Sequence, residues 1–180
     1  MKTELKAKFL QHILGKKKED EGFTLIELLV VIIIIGVLSA IALPSFLSQA
    51  NKGKQSEAKQ YVGAMNRAQQ AYYLENSDFA NVIGNMGLGI ASETVNYSYV
   101  ADDTGTDIVA NNGMSNKRDL KSYVGTVVYF TNAQSEGATL AALCEAVTAG
   151  EVTTSIDGVA SGTGTARVPT CPASYSSVVK

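Results

Sequence analysis

Three residues in one short stretch could do chemistry together: Gly22, Phe23 and Glu27 of GFTLIELLVVIIIIGVLSAIALPSFL. Glu27 is the single acid of this apolar run, and no charged residue occurs in the 24 residues from Leu28 to Asn51. As a helix those 24 residues rise about 36 Å, enough to cross a hydrocarbon core of roughly 30 Å. A carboxylate at that depth is expensive without a partner, and such residues are usually functional. Glu27 follows Phe23 by four residues, so the two share one helix face. Cutting after Gly22 would leave the Phe23 α-amino group as a cation at the helix start. Glu27 could pair with its own chain's amine, although first-turn N–H groups already favour an anion there. Pairing with a neighbour's amine would instead make the charge a register mark for helices packed side by side. A third reading leaves Glu27 as a helix-start acid that snorkels to water.

The second pair able to react is Cys144 and Cys171, the only cysteines. Both lie in the segment expected outside the membrane, where an even count favours a disulfide over two buried thiols. Closing that loop would stabilise the fold by roughly 3–4 kcal/mol in the chain-entropy view. The remaining chemistry is sparse. His12 is the only histidine and sits before Gly22, so a Ser-His or Cys-His nucleophile cannot be built beyond it. No CxxC motif, P-loop or GxGxxG after a strand is present, and no cofactor is expected. Asp102-Asp103-Thr104-Gly105-Thr106-Asp107 has the flavour of a calcium loop but lacks EF-hand spacing and its closing Glu, and reads as a solvated acidic turn. Asn96-Tyr97-Ser98 is a formal glycosylation sequon inside an expected strand. Phe23, Phe46, Tyr61, Tyr72 and Tyr73 read as packing rather than as a path for electrons.

These residues need elements to hold them. An ordinary secretory signal places its apolar core before the cut and loses it. Here the order is reversed, so cleavage after Gly22 would keep the membrane helix. The stretch 1–22 carries six lysines against four acids, and nothing basic follows until Lys52. The positive-inside rule therefore keeps 1–22 cytoplasmic and sends the rest outward. Beyond residue 22, nine basic residues face thirteen acidic ones, which argues against a general nucleic-acid surface.

The whole of Gly22–Leu47 closely resembles the type IV pilin signature, and Gln49–Asn76 looks like the major pilins of cyanobacteria in particular. The resemblance implies a prepilin peptidase that cuts after Gly22 and methylates Phe23, with Glu27 as the assembly carboxylate. It implies an α+β fold, one long N-terminal helix laid across a small antiparallel sheet. Its partners would be the lipid bilayer before assembly, further copies of the chain in a filament, and an assembly machine in the inner membrane. The fibre would serve motility, adhesion or DNA uptake. The acidic Glu19-Asp20-Glu21 beside the cut departs from the many family leaders that are basic or small there. The expected organisation is a cleaved cytoplasmic leader over 1–22 and a transmembrane or filament-core helix over 23–50. An amphipathic continuation over 51–77 and an extracytoplasmic β-rich head over 78–180 follow. Two alternatives share the Gly22–Leu47 pattern: a type II secretion pseudopilin, and a minor pilin that binds DNA or a surface, for which Lys117, Arg118 and Lys121 are the nearest basic cluster.

Within that organisation a single helix is expected from about Phe23 to Asn76. Its breakers Gly36 and Pro44 bound the stretch that unwinds on assembly in the resembled filaments. Past the membrane, Ala58, Tyr61, Val62, Met65, Ala68 and Tyr72 make one apolar stripe at spacings of three and four, ended by Phe79. Gly84, Gly87 and Gly89 mark a loop. Val95–Val100 and Ser122–Thr131 read as strands, Thr139–Val147 as a third strand or a helix, Asp102–Leu120 as a long exposed loop between the first two, and Gly150–Thr170 as a polar tethered segment.

Overall fold

The computed structural model describes residues 4, 7–11, 22–105, 107–131, 136–157, 159–161 and 167–178. His12 and most of the stretch before Gly22 lie outside them, as does Thr106 of the acidic turn. The chain divides into two compact units, Met1–Leu47 and Ser48–Lys180.

Helix α1 runs Leu25–Asn76 and is helical through Gly36 and Pro44. In the first unit its large apolar side chains are all exposed, from 46% at Leu29 and Val30 to 83% at Leu25. That part is long and apolar enough to cross a membrane. From Ser48 on, α1 buries Ala58, Val62, Met65, Asn66 and Gln69, while Tyr61, Ala68 and Tyr72 are half-buried. The stripe read from apolar residues is therefore completed by two amides.

That part of α1 packs on an antiparallel sheet. Its strands are β1 (Tyr97–Gly105), β2 (Ile108–Ser115), β3 (Tyr123–Thr131), β4 (Gly137–Ala146) and β7 (Tyr175–Ser177), in that spatial order. The short strands β5 (Val159–Ser161) and β6 (Val168–Thr170) pair with each other. A 3-10 turn, Ile83–Met86, follows the helix, with Gly87 and Gly89 at positive φ where a side chain would be strained. The Thr139–Val147 ambiguity resolves as β4, the fourth strand in chain order.

One expectation is overturned. Asp102–Leu120 is not a long exposed loop: it holds the end of β1 and all of β2, and Val109 through Ser115 are buried. Asn111-Asn112-Gly113 has turn composition, but tertiary contacts outweigh it. Alternation along β2 sends Asn111 toward α1 and Asn112 to the opposite face. Asn111 Nδ2 donates to Asn66 Oδ1 at 2.9 Å, and Asn66 Nδ2 donates to the Ala142 carbonyl at 2.9 Å. Gln69 Nε2 donates to the Ala80 carbonyl at 2.6 Å, and Gln69 Oε1 accepts the Ala80 N–H at 2.9 Å. On the other face Asn112 Nδ2 donates to the Ile156 carbonyl and Asn112 Oδ1 accepts from the Ile156 N–H, at 3.1 and 3.0 Å. A buried amide without such partners would cost a few kcal/mol, so the strand is stable only where the helix and the 150s segment meet it.

Two glycines let α1 approach closely. A Cβ on Gly113 would come within 2.8 Å of Val62 Cγ2, and one on Gly125 would overlap Asn66 Oδ1. Tyr97, Tyr99, Tyr123 and Leu120 complete this core with Val62 and Met65. Phe79 packs on Tyr73 with ring centroids 4.6 Å apart, and closes the end of the stripe. On the far face Val124, Ala110, Cys144 and Tyr175 form a second cluster with Ile156 and Cys171.

Candidate assembly site

The helix start is built by a local reciprocity. Thr24 precedes the first helical residue, and its Oγ1 accepts the Glu27 N–H at 3.3 Å. The Glu27 carboxylate reaches back, and Oε2 accepts the Thr24 N–H at 2.8 Å and the Thr24 hydroxyl at 2.7 Å. This is a capping box, Thr-x-x-Glu, in which each residue satisfies a helix-end N–H group of the other. Sequence reasoning missed Thr24, although the Thr-x-x-Glu spacing before an apolar run is the signal that finds it. With Gly22 attached, the Phe23 nitrogen is an amide and carries no charge. The Glu27 carboxylate is engaged with Thr24.

Gly22, Phe23, Thr24 and Glu27 together line a shallow hollow of about 390 Å³. Phe23 is 90% exposed. Gly22 has nothing within 4 Å of where a Cβ would lie, so the fold itself does not require glycine there. Gly36 is equally open on its own helix.

In the second unit, Cys144 and Cys171 are disulfide-bonded with Cα atoms 5.6 Å apart. The bond pins the C-terminal segment across the far face, where β7 pairs with Cys144–Ala146 of β4. Beside it, Glu145 receives Lys59 Nζ at 2.9 Å and Lys121 Nζ at 2.8 Å, and the Tyr123 hydroxyl donates to it at 3.2 Å. Burial alone would raise the Glu145 pKa, but the two lysines outweigh it and hold the carboxyl below its ordinary range. Burial first, and then the charge of Glu145, push the Tyr123 hydroxyl up. Lys59 thus ties the helix to β4. The acidic turn holds no metal cluster among the described residues. Asp102 accepts the Ser155 hydroxyl, and Asp107 pairs with Arg167 at 3.2 Å. Asn96 Nδ2 lies 3.5 Å from a Glu57 oxygen. Lys117 and Arg118 are exposed on the β2–β3 turn, and Lys121 is committed to Glu145.

A capped helix with exposed apolar side chains, continuous with a helix that packs on a four-stranded meander closed by a disulfide-pinned fifth strand, is the architecture of a pilin-type subunit. The chain belongs to the type IV pilin-like G and H family, which matches residues 55–172. The prokaryotic N-terminal methylation motif matches residues 17–43, across Gly22, Phe23 and Glu27. The chain is 50% identical over 68 residues to the type IV major pilin protein PilA of Myxococcus xanthus, covering 36% of this chain and 31% of that one. It is 42% identical over 84 residues to the fimbrial protein EcpC of Eikenella corrodens, covering 47% and 53%. Over 61 residues it is 36% identical to the type II secretion system core protein G of Pseudomonas aeruginosa, covering 34% and 43%. The chain thus spans between about a third and about a half of the length of these curated relatives. None of these three is cyanobacterial. No solved structure matches the chain.

Proposed function

We propose that this chain is the precursor of a structural subunit of a type IV pilus and works by polymerising rather than by catalysis. The observation that carries the reading is the first half of α1, whose large apolar side chains are all at least 46% exposed beneath a single capped acid. Such a surface must be covered by lipid or by other helices. A prepilin peptidase would cut after Gly22 and methylate the Phe23 amine. The apolar helix would sit in the inner membrane with 1–22 cytoplasmic and the head outside. Assembly machinery would then draw it into an extracellular filament. The fibre would serve motility, adhesion or DNA uptake, and no cofactor is called for. Cleavage creates the cation that the uncut chain lacks. A neighbour's Phe23 amine then offers Glu27 a charged partner in an apolar core, where an unpaired carboxylate is costly. Gly36 and Pro44 mark where α1 would yield on assembly.

The capping box makes a sharper test than deletion of the charge alone. Glu27→Gln keeps a side chain that can cap Thr24, because the box accepts Glu or Gln, whereas Glu27→Leu removes cap and charge together. Both variants should insert and be cleaved at Phe23, and both should give few or no sheared filaments. Normal filament yield from Glu27→Gln would show that the cap, and not the charge, is what assembly needs.

The Pseudomonas aeruginosa relative favours a second reading, a subunit of a type II secretion pseudopilus. Long surface fibres made at native expression level support the pilus; their absence together with a secretion defect on deletion supports the pseudopilus.

A further inference from the structure

Asn112-Gly113 on β2 is the chain's only Asn-Gly pair. Asparagine is a chemically labile residue, and a following glycine, lacking a side chain, leaves the asparagine side-chain carbon open to attack by the next backbone nitrogen. Two unrelated packing demands place the pair here. Gly113 is where α1 comes close: a Cβ would lie 2.8 Å from Val62 Cγ2 and 3.3 Å from Tyr99 Cε1. Asn112 turns to the opposite face, where it is buried, and its amide clasps the Ile156 backbone. Its Nδ2 donates to that carbonyl at 3.1 Å, and its Oδ1 accepts that N–H at 3.0 Å. The same contacts hold the pair still. The Tyr129 N–H donates to the Asp107 carbonyl, so by alternation Tyr123 and Gly113 exchange backbone bonds between β3 and β2. The Gly113 nitrogen is therefore committed to Tyr123, in a strand flanked by β1 and β3. The extended backbone of a strand, with ψ of roughly +135°, also turns that nitrogen away from Asn112 Cγ.

We propose that Asn112-Gly113 is a modification site gated by folding: it deamidates spontaneously when the head opens, is silent while the head is closed, and once modified bars the head from closing again. In the open chain the Gly113 nitrogen loses its proton to water and attacks Asn112 Cγ, and the Cγ–Nδ2 bond breaks to release ammonia. The resulting five-membered imide takes up water at either of its two carbonyls. One opening leaves an aspartate at position 112. The other leaves an isoaspartate, whose main chain runs through the side-chain carbon. The net change is amide plus water to acid plus ammonia, with nothing oxidised or reduced. Both products fail at the clasp. A carboxylate can still accept the Ile156 N–H, but its other oxygen meets the Ile156 carbonyl where Nδ2 now donates. It also brings a charge to a buried position, which is costly. The isoaspartate inserts an extra backbone atom between the partners Val100 and Val124 and breaks the register on both sides. The two packing demands that require these residues thus also make a prolonged opening of the head irreversible. The site acts in the same way in a free or a polymerised subunit.

The test follows the full chain in detergent micelles at mildly alkaline pH, with and without urea. Peptide mass spectrometry reads conversion at Asn112, and near-ultraviolet circular dichroism after removal of urea reads refolding. The unfolded chain should convert at Asn112 ahead of every other asparagine. The folded chain should convert at least about a hundredfold more slowly, because the middle of a sheet opens only with the head as a whole. Refolding yield should fall in step with conversion. Asn112→Gln keeps an amide but does not close the five-membered ring, so its refolding yield should not depend on the time spent unfolded. Equal rates in folded and unfolded chain overturn the gate, and no conversion in the unfolded chain overturns the site. A yield from Asn112→Gln that falls as fast as the parent's overturns deamidation as the cause. Should Asn112→Gln not fold, converted and unconverted parent chains separated by ion exchange before refolding give the same comparison, and equal yields from the two overturn the proposal.

Discussion

Between Leu25 and Leu47 the large apolar side chains of α1 are at least 46% exposed, whereas between Ser48 and Asn76 the same helix buries Ala58, Val62, Met65, Asn66 and Gln69 completely or nearly so. The first stretch is richer in leucine and isoleucine, and the second carries lysines, glutamines and alanines. Hydrophobicity therefore runs opposite to burial. An apolar side chain is stabilised by whatever removes it from water, and the chain supplies that cover only to the second stretch. The first waits for a bilayer or for neighbouring helices. The second waits for nothing, because a sheet with glycines at 113 and 125 receives it, and amides on both sides close the remaining polar groups.

The sharpest way to break this contrast is to make the same kind of truncation in both stretches. Met65→Ala, in the buried stripe, should lower the stability of the head by about 2–5 kcal/mol through lost contacts and a cavity. Leu38→Ala, in the exposed stretch, should leave head stability unchanged. Thermal unfolding of the full chain in detergent micelles, read by near-ultraviolet circular dichroism, measures both. An equal loss in the two variants would mean that the two stretches share one cooperative core.

A smaller effect is expected from the far face of the sheet, which is held by the disulfide rather than by the helix. Cys144→Ser with Cys171→Ser should cost about 2–4 kcal/mol, chiefly by freeing the unfolded chain, and should loosen β7 while leaving the α1 contacts. Hydrogen exchange should show faster exchange at Val147 and Val178, whose N–H groups bond across that junction, and slow exchange at Ala80, whose N–H is held by Gln69. Faster exchange at Ala80 as well would show that the two faces unfold together.

The smallest effect concerns Lys59, the cation that ties helix to strand. The Glu145 pKa is depressed in the folded chain, so its contribution to stability is present above the ordinary carboxylate range and is lost as pH falls through the folded value. The pair is partly exposed, so the contribution should be under about 1 kcal/mol. Glu145→Gln should be slightly less stable than the parent at pH 7, with the difference vanishing in acid. A difference that stays constant down to low pH would assign the effect to packing instead of charge.

How far the sequence could be read depended on how local each feature is. The helix, its apolar start and Glu27 follow from neighbours a few residues apart, as did β3, whose apolar and β-branched run is self-evident. Thr24 is equally local, since the capping box is a four-residue spacing. β2 was not local at all. Asn111 and Asn112 read as loop residues until Asn66, Gln69 and Ile156, drawn from two distant parts of the chain, are brought against them. Asn66 and Gln69 were likewise absent from a stripe defined by apolar residues, because their burial is permitted only by partners that fold in later.

By itself the sequence determined that one uncharged stretch would leave water as a helix with a single acid at its head, since length, composition and spacing decide that without reference to the rest. Only the tertiary structure decided which amides are buried and that Gly113 and Gly125 are where the helix approaches the sheet closely. Those are matters of what surrounds a residue, and a polar group's place is set by whether a distant partner can satisfy it.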